Sequence, residues 1–284
     1  MPPNTVPPTV RQRRLGTELR RLREKAELTA TQAGAMLGGN QARISNTEAG
    51  RYAVSAERVR AMAHAYECSD QQLIEALVRM TGGRTRGWWE DYRDILPAGW
   101  LDLPELEHHA KAIRIGSVIH MPGLLQTRDH ARAVFDEGVP PLTPPEVEHR
   151  VSHRIKRQTV IYSAQPTPLT AIVHEAALRM GFGGPAVARA QLEHLLVMSE
   201  REHITLLVIP FGAGAFPSSG HGIVYFDAEV PSLGTVQLDT DHGSMFVDTE
   251  PQLVKYRTVL DRMEACALPP SESRDLIERI AQTT

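Results

Sequence analysis

One short segment, residues 28–51 (LTATQAGAMLGGNQARISNTEAGR), constrains the fold of this chain more than any other. It holds two helical patterns separated by Gly38-Gly39, a pair that interrupts helices. Thr29 precedes the first pattern and Gln32 follows three residues later, which is the spacing of a capping box. Asn40 is a suitable N-cap for the second pattern. The segment therefore predicts two short helices joined by a tight turn.

The second of these helices has two unlike faces. Helical periodicity turns Ile44 and Thr47 inward, and it leaves small polar side chains and an arginine outward. In the major groove an amide can bond adenine, and a guanidinium can bond guanine. The pattern is typical of a DNA-reading helix-turn-helix, although a helical hairpin with an ordinary polar face is the alternative. The predicted DNA-binding residues are Thr29, Asn40, Gln41, Arg43, Asn46 and Arg51.

Residues 15–77 also resemble a known family, through the stretches LRRLREKAELT, AGAMLG, QARISNTEAGR and ERVRAMAHAY. They are similar to the five-helix DNA-binding domains of the Xre/Cro/phage-repressor family. The resemblance implies an all-α five-helix domain in which Gln41 and Arg43 read bases and Asn46 is a third candidate. It also implies that Glu48 ties the recognition helix to its neighbours, often through an arginine.

The charge of the chain is uneven along its length. Residues 1–87 contain 14 Lys and Arg against 8 Asp and Glu, a balance of +6, whereas the remainder carries 17 against 26, a balance of −9. A basic N-terminal part with an acidic remainder favours a DNA-binding module joined to a body that does not bind DNA. Three arginines near the start, Arg11, Arg13 and Arg14, are candidates for phosphate or minor-groove contacts, and a solvated basic helix start explains them equally well.

Composition and periodicity divide the chain into four parts. We predict a disordered Pro-rich arm at 1–9, a helix-turn-helix domain at 10–80, a Gly-rich linker at 81–87 and a regulatory and dimerisation domain at 88–284. The last part alternates helical and strand-like patterns, which predicts an α+β domain with a small, mainly antiparallel sheet. The helical patterns cover 104–115, 128–136, 144–159, 175–180, 185–200, 250–267 and 272–282, and the strand-like runs cover 170–173, 204–209, 222–226 and 235–238.

The second part of the chain carries a resemblance of its own. It contains WWEDYRDILP, LPELEHHAKAIRIGSVIHMPGLLQTRDHARAVF, EHRVSHRIKRQ, HEAALRMGFGG, QLEHLL and ITLLVIPFGAG. These stretches resemble the domain of unknown function that follows Xre-type helix-turn-helices in actinomycete regulators, including the WhiJ-like group. The resemblance implies a transcriptional regulator that often works beside a small acidic partner protein. The resemblance gives no indication of an enzymatic activity or of a ligand.

Several histidines invite a metal or catalytic interpretation. His149 and His153 have zinc-compatible spacing on a predicted helix, but Arg150, Arg154, Lys156 and Arg157 crowd that helix and disfavour a cation. A solvated basic face, or a surface for an acidic partner, is the favoured interpretation. The best enzyme-like set is His221, Asp239, Asp241 and His242, which turn and surface roles explain equally well. We therefore predict no catalytic residue, no metal site and no cofactor.

Four residues are candidates for binding an effector or a protein partner. Gln126 ends the motif PGLLQT, and a buried glutamine needs hydrogen-bond partners, so it is a candidate for lining a ligand pocket. Trp88, Trp89 and Tyr92 are either packing residues or an exposed effector or partner patch.

The remaining composition narrows the class of protein. No apolar run approaches the ~20 residues of a membrane span, and the first residues lack the apolar core of a signal peptide. Cys68 and Cys266 are too few for a disulfide framework, so we expect a cytoplasmic protein. We predict a homodimeric regulator of a palindromic operator in double-stranded DNA, possessing no enzymatic activity and sensing a small molecule or a protein. An antitoxin-like protein that binds a small acidic partner and autoregulates is the alternative. An enzyme tethered to DNA, using the region of His221 and Asp241, is a third hypothesis.

Overall fold

A computed structural model describes residues 7–81, 87–97, 99–217, 221–240 and 243–284. Contacts between residues divide the chain into two compact units, Met1–Glu90 and Asp91–Thr284, which are described separately. A short 3-10 helix, Trp88–Tyr92, spans the boundary between them. Most of the predicted arm and most of the predicted linker lie outside the described residues, as do Asp241 and His242.

The first unit is all-α, as its sequence predicts. Its five helices are α1 (Val10–Lys25), α2 (Ala30–Met36), α3 (Gln41–Glu48), α4 (Ala56–Ala65) and α5 (Gln71–Arg79). Polar N-caps begin each helix, and the side chains of Thr9, Thr29, Asn40, Ser55 and Asp70 all accept a backbone N–H.

Apolar side chains from α1, α3, α4 and α5 form the core of the first unit. Leu19, Ile44, Val59, Met62 and Leu77 are at most 1 % exposed. Helix α1 approaches the end of α3 so closely that a Cβ on Gly16 would lie 2.3 Å from the carbonyl oxygen of Glu48. Glycine at position 16 therefore sets the distance between α1 and the helix of the predicted DNA-reading face.

The second unit contains eight helices and six strands among the described residues. The helices are α6 (Gly99–His109), α7 (Arg128–Asp136), α8 (Pro144–Arg157), α9 (Thr159–Tyr162), α10 (Glu175–Arg179), α11 (Pro185–Met198), α12 (Glu250–Ala265) and α13 (Pro270–Thr283). The strands are β1 (Ala112–Ser117), β2 (Leu169–His174), β3 (Ile204–Ile209), β4 (Ile223–Asp227), β5 (Thr235–Thr240) and β6 (Gly243–Val247).

The six strands form one mixed sheet in the order β3-β2-β1-β4-β5-β6. β1, β2 and β3 are parallel to one another, whereas β4, β5 and β6 add antiparallel neighbours. The predicted mainly antiparallel sheet is therefore wrong. Helices α7–α9 separate β1 from β2, and α10 and α11 separate β2 from β3, so the chain returns to the same end of the sheet before each of these strands.

Strand β1 is the other correction, because the sequence places residues 112–115 in a helix. Helix α6 instead ends at His109, and β1 starts at Ala112. Ile113 and Ile115 alternate with Arg114 along the strand, and both isoleucines are at most 5 % exposed. With β2 on one side and β4 on the other, this six-residue strand lies at the centre of the sheet. The sequence analysis predicts no strand at the position of β6 either.

The two faces of the sheet are covered differently. Helix α12 crosses one face and buries Leu253, Leu260 and Met263 against Ile172 and Tyr225. Helix α13 protects the edge strand β3, where Ser273 accepts a hydrogen bond from the backbone N–H of Val208 at 2.9 Å. The face of the sheet opposite α12 faces α6 and α8.

We predict that Gly16→Ala destabilises the first unit. Alanine favours a helix over glycine by about 1 kcal/mol, but the new Cβ overlaps backbone atoms that have no free rotation. We expect a net loss of about 1–3 kcal/mol in the free energy of unfolding, measured by urea unfolding under far-UV circular dichroism. Gly39→Ala is the matched control, because the nearest atom to its new Cβ is 3.6 Å away in a side chain. An unchanged midpoint for Gly16→Ala would contradict the close approach of α1 and α3.

Candidate nucleic-acid interface

Helix α3 presents the predicted base-reading side chains to solvent. Gln41 and Arg43 are exposed, whereas Ile44, Thr47 and Glu48 are buried on the opposite face. Asn46 is half-buried between these faces, and its Nδ2 donates to the carbonyl of Ala42 at 2.9 Å. The helix therefore offers one amide and one guanidinium on its open side.

The two predicted capping residues hold the ends of α2 and α3. The hydroxyl of Thr29 accepts from the N–H of Gln32 at 3.2 Å, and Oδ1 of Asn40 accepts from the N–H of Arg43 at 2.9 Å. Both residues remain exposed. Arg51 follows the end of α3, is exposed, and donates to Oδ1 of Asn46 at 3.4 Å. The six predicted DNA-binding residues thus lie along α3 and at the start of α2.

Arg58, which is not among the residues predicted from the sequence, holds the turn between α2 and α3. Gly38 has a positive φ of 62°, which suits a tight turn. Arg58 of α4 donates from Nη1 to the carbonyl of Leu37 at 2.6 Å, which satisfies an acceptor at the end of α2. The only sequence signal for this role is an arginine in the first turn of α4, where a negative side chain is usually favoured.

A buried ion pair fastens the inner face of α3 to α1. Arg23 donates to both carboxylate oxygens of Glu48, at 2.6 and 2.9 Å, and its side chain is 10 % exposed against 6 % for Glu48. Arg23 also donates to the carbonyl of Leu28 at 2.6 Å. The hydrogen bond with Glu48 raises the pKa of Arg23. This contact confirms the role that the family resemblance implies for Glu48.

Two of the three N-terminal arginines are structural. Arg11 is buried and donates to the carbonyls of Arg79 and Met80 at the end of α5. Arg14 is 2 % exposed and pairs with Glu18 at 2.8 Å. Arg13 alone is exposed, and it donates to the carbonyl of Pro8. The suggested phosphate contacts of Arg11 and Arg14, and a solvated role for them, are therefore both wrong.

The three aromatic candidates for an effector or partner site are buried or half-buried. Trp89 is 2 % exposed and its ring meets that of Trp88 edge-on at 6.0 Å. In the second unit, Tyr92 shares a hydrogen bond with Ser152 at 2.9 Å and packs edge-on against His153. None of these three aromatic residues lines the large cavity of the second unit described below.

Gln126 does line that cavity, and it is 2 % exposed. Its Nε2 donates to the carbonyl of Met121 at 2.9 Å, and its Oε1 accepts from Nη1 of Arg154 at 2.6 Å. The predicted basic face of α8 is wrong in part, because Arg154 and Arg157 turn inward and His153 is 1 % exposed. The missed signal is the spacing of Val147, Val151 and Arg154, which continues one face of α8.

The enzyme-like set is only partly described. His221 is exposed, and Asp239 accepts hydrogen bonds from Gln237 and Ser244. Within the described parts of the chain, no group of three or more His, Cys, Asp or Glu residues is placed to hold a metal ion. Among the helices that the structure describes, none has the length and apolar character that a membrane span requires.

We predict that Arg23→Met strongly destabilises the first unit, because it leaves the Glu48 carboxylate buried without its partner. The expected loss in the free energy of unfolding is about 3–5 kcal/mol, measured by urea unfolding. The double variant Arg23→Met/Glu48→Met removes both charges and is expected to recover most of that loss. Equal losses for the single and double variants would show that packing, and not the unpaired charge, accounts for the effect.

Two family models match this chain in adjoining regions. A helix-turn-helix domain matches residues 14–77, which contain α2, the turn and α3. A domain of unknown function (DUF5753) matches residues 100–279. No curated protein and no solved structure matches the chain. Since the second model covers more than half of the sequence, the chain belongs to the family defined by the DUF5753 domain, and it carries a DNA-binding helix-turn-helix in front of that domain.

Proposed function

We propose that this protein is a sequence-specific transcriptional regulator of the Xre type that binds double-stranded DNA as a homodimer. The second unit dimerises and senses a small molecule or a protein partner. One observation carries the proposal: in a matched helix-turn-helix, α3 turns Gln41 and Arg43 outward while its inner face is tied down by Glu48. The proposal assigns no catalytic step, metal or cofactor to the chain.

The geometry suits docking of α3 in the major groove. An exposed guanidinium at Arg43 can donate to O6 and N7 of guanine, and the amide of Gln41 can bond N6 and N7 of adenine. Thr29, Asn40 and Arg51 flank α3 and are exposed, which suits contacts to the phosphates on either side of the groove. Arg58 and the Arg23–Glu48 pair keep α3 in place, so little ordering of the helix is needed on binding.

The distribution of charge also supports DNA binding by the first unit. The balance of +6 in residues 1–87 attracts a polyanion, whereas the balance of −9 in the remainder does not. We therefore assign DNA binding to the first unit alone.

We expect Gln41→Ala and Arg43→Ala each to weaken operator binding by about 1–3 kcal/mol, with the loss concentrated at one base position. The test compares the affinities of the variants for an operator and for single-base substitutions of it, at fixed salt. Arg60→Ala is the matched control for loss of one positive charge, since exposed Arg60 already pairs with Glu75 at 3.0 Å. If both variants ranked all operator sequences as the unmodified protein does, the base-reading assignment would be wrong.

We also expect the selected DNA to reveal a dimer. A two-fold symmetric protein requires a palindrome whose half-sites are about 34–36 Å apart, or a multiple of that distance. The measurement is sequencing of DNA fragments captured by the full chain, together with the mass of the complex by analytical ultracentrifugation. A single half-site bound by a monomer would exclude the homodimer. Tight binding of a small acidic protein to that monomer would favour the antitoxin-like alternative.

A further inference from the structure

The second unit contains a cavity of about 500 Å³ that is partly open to solvent. It lies between the sheet face opposite α12 and the helices α6 and α8, and the loop 118–126 closes one side. This volume is in the range of about 300–1,000 Å³ that is typical of small-molecule sites. None of the residues used in the DNA-binding proposal contributes to it.

Part of the wall is aliphatic, and polar side chains line the remainder. The apolar side chains come from β1, β4, α6, α7 and the loop, and they include Leu103, Ile115, Met121, Leu124, Val134 and Val224. Such a wall suits the apolar body of a ligand, since it contributes affinity through burial of apolar area.

Two charged side chains, Arg154 and Asp239, line this cavity without belonging to an ion pair in the part of the chain that the structure describes, and Asp239 accepts hydrogen bonds from Gln237 and Ser244. Arg154 is half-buried and lines the cavity, its Nη1 donates to Oε1 of Gln126, and its guanidinium lies 4.9 Å from the centroid of the Phe135 ring. Its Nε and Nη2 make no hydrogen bond with the described residues, and no described carboxylate lies within ion-pair distance of it. Arg157, one turn later, shows the contrast: its Nε and Nη2 donate to the carboxylate of Glu107.

The position of Arg154 is energetically unfavourable in the free protein. A guanidinium has five N–H donors, and enclosing its charge is costly unless an anion compensates it. Burial, followed by the nearby charge of Arg157, lowers the pKa of Arg154 to about 9. Asp239 also lines the cavity and offsets this effect in part, but its carboxylate already accepts from Gln237 and Ser244.

We propose that this cavity binds an organic carboxylate, with the carboxylate against Arg154 and the apolar body against the aliphatic wall. This inference rests on the proposed function, because it names the chemical class of the effector that the second unit senses. Nη2 of Arg154 makes no hydrogen bond with the described residues, so it is open to a carboxylate, which guanidinium groups bind through strong charge-assisted hydrogen bonds. Gln126 also contacts the end of α8, because its backbone carbonyl accepts a hydrogen bond from Nε2 of Gln158 at 2.6 Å.

The experiment measures the affinity of the full chain for benzoate, 2-naphthoate and decanoate, each paired with its uncharged primary amide, by isothermal titration calorimetry. We expect at least one carboxylate to bind about tenfold or more tightly than its amide. Arg154→Met should abolish this preference, and Arg154→Lys, which keeps the charge, should retain part of it. Arg189→Met is the matched control, because Arg189 is an exposed residue of α11 outside the cavity, and it should leave the preference unchanged.

Three results would overturn the proposal: no binding of any of the carboxylates, equal affinity for a carboxylate and its amide, or a preference that survives in Arg154→Met. Far-UV circular dichroism establishes that the Arg154 variants are folded. Operator binding separates the two proposals. If the chain recognises an operator but binds none of the carboxylates, only the proposal for the cavity is wrong. If the chain binds a carboxylate tightly but recognises no operator, only the proposal of a DNA-binding regulator is wrong.

Discussion

The bidentate ion pair between Arg23 and Glu48 is the contact on which the DNA-binding unit depends. It joins α1 to the inner face of α3, and the same arginine reaches the carbonyl of Leu28 just before α2. Helices of seven and eight residues are too short to be stable alone in water, so α2 and α3 require such tertiary contacts. The outward direction of Arg43 follows from how firmly the opposite face of its helix is held.

Arginine serves several different purposes in this chain. Arg11 caps the end of α5, Arg58 caps the end of α2, and Arg43 remains exposed. In the second unit, Arg157 is neutralised by Glu107, whereas Arg154 lines a cavity and contacts an amide and the ring of Phe135 but no described carboxylate. Because a guanidinium carries five donors and a permanent charge, its surroundings decide between a structural and a binding role. The count of basic residues alone does not.

The mixed sheet explains why the second unit has a cavity at all. Parallel strands require helical crossovers, and the long crossover between β1 and β2 carries both the loop 118–126 and α8. The cavity lies between these segments and the sheet, and Gln126 and Arg154 line it. The opposite face is packed densely by α12. One face therefore stabilises the unit, and the other provides the space for a ligand.

The sequence by itself determined the five helices of the first unit, the outward side chains of α3 and most elements of the second unit, since capping residues and hydrophobic periodicity are local signals. It did not reveal β1 or β6, because strands of five or six residues depend on the strands with which they pair. Strand direction was likewise decided only by the tertiary structure, and so was the inward turn of Arg154. Both depend on which distant segments meet, and neither periodicity nor composition records that.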